Sequence, residues 1–242
     1  MRKTLPIVLF TIATLFQFPA HAQIADPSDY LSDIKNELLK EWPANKTINL
    51  VFHGHSVPAG YFKTPVVNTF GSYPFLLLKE LKEHYPYAVI NIINTSVGGE
   101  NSESGASRFA SEVMIHKPDV LFIDYALNDR TIGMEKSKMS WEKMIRKALK
   151  KNIKIILLSP SPDQNVNILE PETDLAKFSM QISMLAGKYG LGYVDSYGEF
   201  RNVVAMGGQL PEYMSQVNHP NEKGNLLIAK DIMKYFVSNP AK

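Results

Sequence analysis

The sequence Ile-Asn-Leu-Val-Phe, residues 48–52, is a short and nearly continuous apolar run, and the glycine-containing sequence His-Gly-His-Ser-Val-Pro-Ala-Gly, residues 53–60, follows it at once. Runs of this length are typical of strands that are buried on both faces of a parallel sheet. Four further runs of this kind follow along the chain, at residues 88–93, 120–125, 153–158 and 192–194. The sequence therefore predicts five buried strands.

Segments with helical spacing of apolar residues separate these runs. The predicted helices cover residues 73–84, 139–151, 175–189 and about 220–236. Ser72 is the predicted cap of the first of them, Pro74 lies in its first turn, and Gly190 ends the third. Strands that alternate with helices form crossover units, which predicts a three-layer α/β/α sandwich with a mostly parallel five-stranded sheet. Ligands of such folds bind at the carboxyl ends of the strands.

The first 22 residues have the organisation of a secretory signal. The basic residues 2–3 precede an apolar run at 5–18, and the small-residue triplet Ala-His-Ala follows at 20–22. Polar residues interrupt the run, which argues against the alternative of an uncleaved membrane anchor. The sequence predicts a bacterial-type signal peptide and an exported protein, periplasmic or extracellular, whose remaining residues 23–242 form a single domain.

Composition excludes several classes of function. With 45% hydrophobic and 21% charged residues the chain is an ordinary globular protein. The absence of cysteine excludes disulfides, thiol catalysis and cysteine-ligated metals. Cleavage after Ala22 removes two of the 26 basic residues and none of the 24 acidic ones, so the mature chain is formally neutral. Its net charge gives no reason to expect nucleic acid as a partner, and we expect no stable membrane insertion after cleavage.

Four residues suited to acyl-transfer chemistry lie after predicted strands or at the start of the last helix. Ser56 lies between a glycine and a residue that precedes proline, where a sharp turn exposes its hydroxyl. Gly98 and Gly99 allow a main-chain N–H to approach a developing oxyanion, and the Asn128 amide is a second donor. His219 precedes a proline at the start of the last helix, and an imidazole there is a natural base for a serine hydroxyl.

These blocks resemble the SGNH (GDSL-type) hydrolase superfamily, which carries Ser, Gly, Asn and His in that order. The matching residues are Gly54-His55-Ser56, the block from Asn94 to Ser102, Ala126-Leu127-Asn128-Asp129 and His219-Pro220-Asn221. The resemblance covers essentially all of residues 46–236, and it implies the flavodoxin-like fold of SGNH hydrolases. It also implies a serine-dependent carboxylic ester hydrolase that works through an acyl-serine, with no cofactor and no metal.

The resemblance implies a role for each matched residue. Ser56 is the expected nucleophile and lends its N–H to the oxyanion hole, which Gly99 and Asn128 complete. His219 is the expected base and then acid. Because exported members of the superfamily are commonly carbohydrate esterases, we expect a short-chain or acetyl esterase acting on carbohydrate esters. Its substrate would be a small-molecule or polysaccharide ester. The alternatives are a lipase or lysophospholipase, and a degenerate, non-catalytic glycan-binding homologue.

The chain departs from the family pattern at two places. His55 stands where the family usually has a loop-supporting aspartate, and Gln216 stands where the aspartate that orients the histidine is usual. The Gln216 carbonyl oxygen is able to accept a hydrogen bond from the imidazole but carries no charge. Glu212, Asp195 or a backbone carbonyl are the alternative partners of His219.

A metal-dependent hydrolase is a further alternative. His53 and His55 form a His-x-His pair at the end of a strand, and period two places both imidazoles on one face. A metal site there needs another His or a carboxylate. We expect no metal site.

Overall fold

The computed structural model describes residues 23–237, and the predicted signal peptide, residues 1–22, lies outside the described residues. Five parallel strands form one sheet in the order β2-β1-β3-β4-β5. The strands are β1 Thr47–Gly54, β2 Val89–Asn94, β3 Val120–Asp124, β4 Lys154–Leu158 and β5 Gly192–Val194. Each of the five predicted strands is present, which confirms the parallel sheet.

Helices cover both faces of the sheet. They are α1 Ser32–Leu38, α2 Ser56–Ala59, α3 Tyr73–His84, α4 Ser102–Glu112, α5 Met134–Leu149, α6 Asp174–Tyr189, α7 Ser196–Ala205 and α8 Glu222–Met233. Successive residues of β3 point to opposite sides: Val120 and Phe122 belong to one apolar core, and Leu121 and Ile123 to the other. The predicted three-layer α/β/α sandwich is therefore correct.

The four predicted helices are present, and the structure contains four shorter helices that were not predicted, α1, α2, α4 and α7. Helix α5 begins at Met134, five residues before the predicted start at Met139. The prediction was late because the first turns of the helix are mostly polar and bury Ser137 instead of an apolar residue. Helix α4 was missed because it buries small and polar residues, among them Ser102 and Gly105, rather than an apolar stripe. Helices α1 and α7 were also missed.

The three residues predicted at helix ends lie at those ends, but one of them does not cap its helix through its side chain. Pro74 lies in the first turn of α3, and Gly190 ends α6 in the left-handed conformation with φ of 64°. The Ser72 side chain does not cap α3, because its hydroxyl instead donates to the Thr69 carbonyl, 2.6 Å away.

The carboxyl ends of the parallel strands lie along one edge of the sheet. The loops that follow β1, β2, β3 and β4 therefore meet there. A small antiparallel pair precedes α8: β6, Met214–Gln216, pairs with β7, His219–Pro220. Within residues 23–237, no helix is both long enough and apolar enough to span a bilayer.

Candidate active site

Ser56 and His219 lie in hydrogen-bond contact, although 163 positions separate them in the sequence. The distance from Ser56 Oγ to His219 Nε2 is 2.9 Å. Ser56 begins α2 two residues after Gly54, the last residue of β1, where a Cβ atom would lie 2.4 Å from the Asp124 carbonyl oxygen. Glycine is therefore required at the end of β1 because the backbone of β3 approaches it so closely.

The imidazole of His219 is held rigidly and is largely buried, at 7% exposure. It lies on β7, and the next residues begin α8, which the Asn221 side chain caps by accepting from Gly224 N at 3.1 Å. The Tyr61 ring packs against it, with 6.2 Å between the ring centroids. Burial lowers the pKa of His219, and the nearby His55 lowers this pKa further. A neutral imidazole, which is the form that accepts a proton, is thereby favoured.

The second ring nitrogen of His219 contacts a main-chain carbonyl. Nδ1 lies 2.8 Å from the Phe62 oxygen and 2.8 Å from the Gln216 side-chain nitrogen. The Gln216 side-chain oxygen instead accepts from the Thr64 N–H at 3.0 Å. Gln216 thus lies next to His219, but with its nitrogen, and not its carbonyl oxygen, toward the ring.

The two carboxylates that were alternative partners of His219 have other contacts. Glu212 forms an exposed ion pair with Lys223 at 3.1 Å. Asp195 caps α7, accepting from the Gly198 N–H at 3.1 Å and from the Ser159 hydroxyl at 2.9 Å. Neither carboxylate is a hydrogen-bond partner of His219 in the described part of the chain, which leaves the backbone carbonyl as the acceptor on this side of the ring.

The glycine loop, residues 95–101 between β2 and α4, lies next to Asn128. The Asn128 side-chain amide donates to the carbonyl oxygen of Glu100 at 2.9 Å. Gly99 has φ of 78°, and a Cβ there would meet no atom within 4 Å, so its surroundings are open. Gly98 packs against the Tyr61 ring, where a Cβ would come within 3.0 Å of the ring carbon Cε2. Tyr61 therefore connects this loop to His219.

An ionic cluster of largely buried side chains supports the glycine loop. No pattern in the sequence predicts this cluster. The Arg108 guanidinium on α4 forms two hydrogen bonds with the Glu100 carboxylate, and the Tyr125 hydroxyl donates to the same carboxylate at 2.8 Å. Hydrogen bonding to Glu100 raises the pKa of Arg108, whereas burial and the Glu100 charge raise the pKa of Tyr125. These groups keep Glu100 in place, and its carbonyl in turn orients Asn128.

His55 supports the nucleophile loop. Its Nδ1 accepts from the Val57 N–H at 3.3 Å and lies 3.4 Å from Ser56 Oγ. Its Nε2 faces Asp124 Oδ1 at 3.3 Å, although the angle is poor for a hydrogen bond. The other Asp124 oxygen accepts from the Tyr73 hydroxyl at 3.1 Å. The imidazole thus fills the loop-supporting place of the family's aspartate.

His53 and His55 do not share a face, so the expected pairing of their imidazoles is wrong. His53 packs between Phe109 and Tyr125, and its Nδ1 contacts the Thr95 hydroxyl at 2.9 Å. The chain turns at the end of β1 and directs His55 toward Asp124 on the opposite side. Among residues 23–237 there is no cluster of three or more His, Cys, Asp or Glu side chains arranged to hold a metal ion.

The loop that follows β4 contacts both the segment after Asn128 and the segment before His219. Asp163 in this loop forms an ion pair with Arg130, at 2.9 Å, just after Asn128. The adjacent Gln164 donates from its N–H to the Val217 carbonyl at 2.8 Å, and from its side chain to the Gln216 carbonyl at 3.1 Å. No sequence pattern predicts these contacts, because an ion pair between residues of distant loops leaves no local signal in the sequence.

Comparisons with solved structures show a shared fold. A two-domain esterase described as active on acetylated mannans is 22% identical, with a TM-score of 0.70 over 89% of this chain and 54% of that chain. A structure described as that esterase co-crystallised with mannopentaose gives 21% identity and a TM-score of 0.70 over 91% and 57% of the two chains. The present chain thus spans little more than half the length of the two-domain esterase.

A second relative matches over almost its whole length. An acetylxylan esterase from Geobacillus stearothermophilus is 16% identical, with a TM-score of 0.67 over 78% of this chain and 94% of that chain. A search of curated protein sequences finds no significant match. The model of the GDSL-like lipase/acylhydrolase family matches residues 52–227, a range that contains all four strand-end blocks. The chain therefore belongs to the GDSL-like lipase/acylhydrolase family.

Proposed function

We propose that the protein is a serine esterase in which Ser56 is the nucleophile and His219 the general base. The observation that carries this proposal is the 2.9 Å contact between Ser56 Oγ and His219 Nε2. A serine hydroxyl is a weak nucleophile until an adjacent base accepts its proton. The lowered pKa of His219 keeps the ring in the neutral form that accepts it.

The reaction has two acyl-transfer steps. Ser56 Oγ attacks the carbonyl carbon of the ester, and its proton moves to His219 Nε2. The tetrahedral intermediate collapses, the C–O bond to the alcohol breaks, and the alcohol oxygen takes the proton from His219. Water then attacks the acyl-serine, losing a proton to His219 and releasing the acid, while Ser56 regains its proton.

Three donors stabilise the oxyanion of the tetrahedral intermediate. They are the N–H of Ser56, the N–H of Gly99 and the side-chain amide of Asn128. The Ser56 N–H lies in the first turn of α2, where main-chain N–H groups have no acceptor within the helix. Asn128 uses one amide hydrogen for the Glu100 carbonyl, and its second hydrogen is the one directed to substrate.

The substrate class that we propose is a short acyl group, acetyl in the simplest case, on a carbohydrate. Two of the structural relatives are described as acting on acetylated mannans and as an acetylxylan esterase. Val97, Gly98 and Gly99 are all exposed, so the rim of the site is open to a polymer. Export through the signal predicted at residues 1–22 would bring the enzyme to such polymers.

Replacement of the nucleophile tests the proposal. We expect Ser56→Ala to reduce hydrolysis of p-nitrophenyl acetate to background while the circular dichroism spectrum stays that of the wild type. Ser107→Ala, which removes an exposed hydroxyl on α4, is the matched control and should keep full activity. Wild-type turnover by Ser56→Ala would refute the proposed chemistry.

Acyl-chain preference tests the substrate class. We expect a much higher kcat/KM on p-nitrophenyl acetate than on p-nitrophenyl palmitate, and release of acetate from acetylated mannan or xylan. A preference for palmitate would instead indicate the lipase alternative. Glycan binding without any ester turnover would indicate the degenerate homologue.

A further inference from the structure

Two groups of opposite hydrogen-bonding character meet at Nδ1 of His219. The Phe62 carbonyl oxygen, at 2.8 Å, is able only to accept. The Gln216 side-chain nitrogen, also at 2.8 Å, is able only to donate. A neutral imidazole carries one N–H, so Nδ1 satisfies one of these neighbours at a time. Each neighbour therefore stabilises a different tautomer of the ring.

The orientation of the Gln216 amide follows from its second contact. Its oxygen accepts from the Thr64 N–H at 3.0 Å. Turning the amide over would place its NH₂ group against the Thr64 N–H, with two donors facing each other. The segment that carries Gln216 is also fixed, because its main-chain carbonyl accepts from the Gln164 side chain at 3.1 Å. The nitrogen of Gln216 consequently faces the imidazole.

The choice of tautomer decides whether His219 acts as a base toward Ser56. With the proton on Nδ1, the ring donates to the Phe62 carbonyl and leaves Nε2 free to accept the Ser56 hydroxyl proton. With the proton on Nε2, the ring accepts from Gln216, donates to Ser56 Oγ and has no site for that proton. In serine proteases, an amide in place of the orienting aspartate lowers kcat by about 10⁴ through the same wrong tautomer.

We propose that the Phe62 main-chain carbonyl, and not the Gln216 side chain, takes the place of the orienting aspartate, and that Gln216 stabilises the inactive tautomer of His219. This inference rests on the proposed function, in which His219 is the base. Phe62 and Gln216 are both positioning residues, since they act on the substrate only through the imidazole. Gln216 then lowers the activity that the Ser56–His219 pair is able to reach.

Two substitutions at Gln216 test this inference through kcat/KM for p-nitrophenyl acetate, measured above the acid limb of the pH profile. Gln216→Leu removes the competing donor. We expect kcat/KM to rise about two- to tenfold, which corresponds to the net free energy of one hydrogen bond. Gln216→Glu retains an oxygen for Thr64 and gives Nδ1–H a charged acceptor. We expect kcat/KM to rise about ten- to a hundredfold. The acid limb should move to higher pH, because a neighbouring carboxylate raises the pKa of the imidazole.

Matched substitutions control for surface effects. Gln209 is an exposed glutamine on the connection between α7 and β6, the strand that ends at Gln216. We expect Gln209→Leu and Gln209→Glu to keep the kcat/KM and the pH profile of the wild type. If Gln216→Leu does not fold, Gln216→Glu decides alone, because it has nearly the same size and shape as the native residue.

Nitrogen-15 NMR of histidine-labelled protein measures the tautomer directly, with the His219 signals identified by their loss in His219→Asn. We expect the Nδ1-protonated fraction to increase from wild type to Gln216→Leu and again to Gln216→Glu. An unchanged or lower kcat/KM in folded Gln216→Leu, or a fall in Nδ1 protonation, would overturn the inference. Full activity of Ser56→Ala would instead overturn the proposed function, whatever the Gln216 series shows.

Discussion

Burial of the imidazole is the residue-scale property that most directly determines the chemistry of the site. His219 has 7% exposure, and burial is the first cause of its lowered pKa. The Phe62 carbonyl raises the pKa, because it stabilises a protonated Nδ1. This effect is smaller than that of burial, so the pKa remains lowered. No carboxylate among its hydrogen-bond partners in the described chain offsets the desolvation of the imidazolium.

The first prediction follows from this lowered pKa. The base must be neutral to accept the serine proton, so activity is lost only as the pH falls through the pKa of His219 in the free enzyme. We expect the acid limb of kcat/KM to have its midpoint below the ordinary histidine value of about 6.5. A profile of kcat/KM from pH 4 to 8 measures it, and a midpoint above that value would contradict the prediction.

The sequence predicts the side chains of the site but not all of its contacts. Ser56, Gly99 and Asn128 follow β1, β2 and β3, so their places come from the crossover topology, and His219 lies on β7 just before α8. The Phe62 carbonyl is a main-chain atom, and every residue type has one. Its role depends on how the loop after α2 folds back on His219, which no residue pattern records.

At the scale of secondary-structure elements, α4 acts as the support of the glycine loop. Its Arg108 side chain holds the Glu100 carboxylate, which is mostly buried, while Asn101 caps the helix by accepting from Ser104 N at 3.2 Å. No apolar periodicity predicts α4, because few of its residues are apolar. Polar contacts with residues of other elements fix its position, and such contacts are not visible in the sequence.

The second prediction concerns this support. Arg108→Met keeps the aliphatic stem but leaves the Glu100 carboxylate without its cationic partner. We expect the loop to shift and kcat/KM to fall by about tenfold or more, since removal of one oxyanion donor costs about 10² to 10³. Arg146→Met, which breaks an exposed ion pair with Glu142 on α5, is the matched control and should leave kcat/KM unchanged. Wild-type kcat/KM in Arg108→Met would refute the supporting role.

At the scale of the whole molecule, the sheet separates two apolar cores and carries a buried histidine in one of them. His53 lies on β1, contacts Phe109 and Tyr125, and has its pKa lowered to about 4, first by burial and then by the Arg108 charge. The nearly continuous apolar runs of the strands predict a sheet that is buried on both faces, and therefore two apolar cores. It does not predict how the polar groups within them are paired.

The third prediction is a loss of stability in acid through His53. Between about pH 6.5 and about pH 4 the unfolded chain binds a proton at this position and the folded chain does not. The free energy of unfolding therefore falls as the pH falls through this range, by about 2–3 kcal/mol for this group. Urea unfolding at pH 7.5 and pH 4.5 measures the difference.

A substitution separates this contribution from those of other groups. We expect His53→Gln to show a smaller difference in unfolding free energy between the two pH values than the wild type. His84→Gln, at an exposed histidine, should retain the wild-type difference. Equal differences in His53→Gln and the wild type would show that another group causes the acid sensitivity.

Covalent labelling of Ser56 tests the central claim that it is an activated nucleophile. The enzyme is treated with a fluorophosphonate, and the modified peptide is identified by mass spectrometry. We predict a single adduct on Ser56 that forms in step with the loss of esterase activity and is strongly reduced in His219→Asn. Complete inactivation with the label on another residue, or full activity after Ser56 is labelled, would contradict the account.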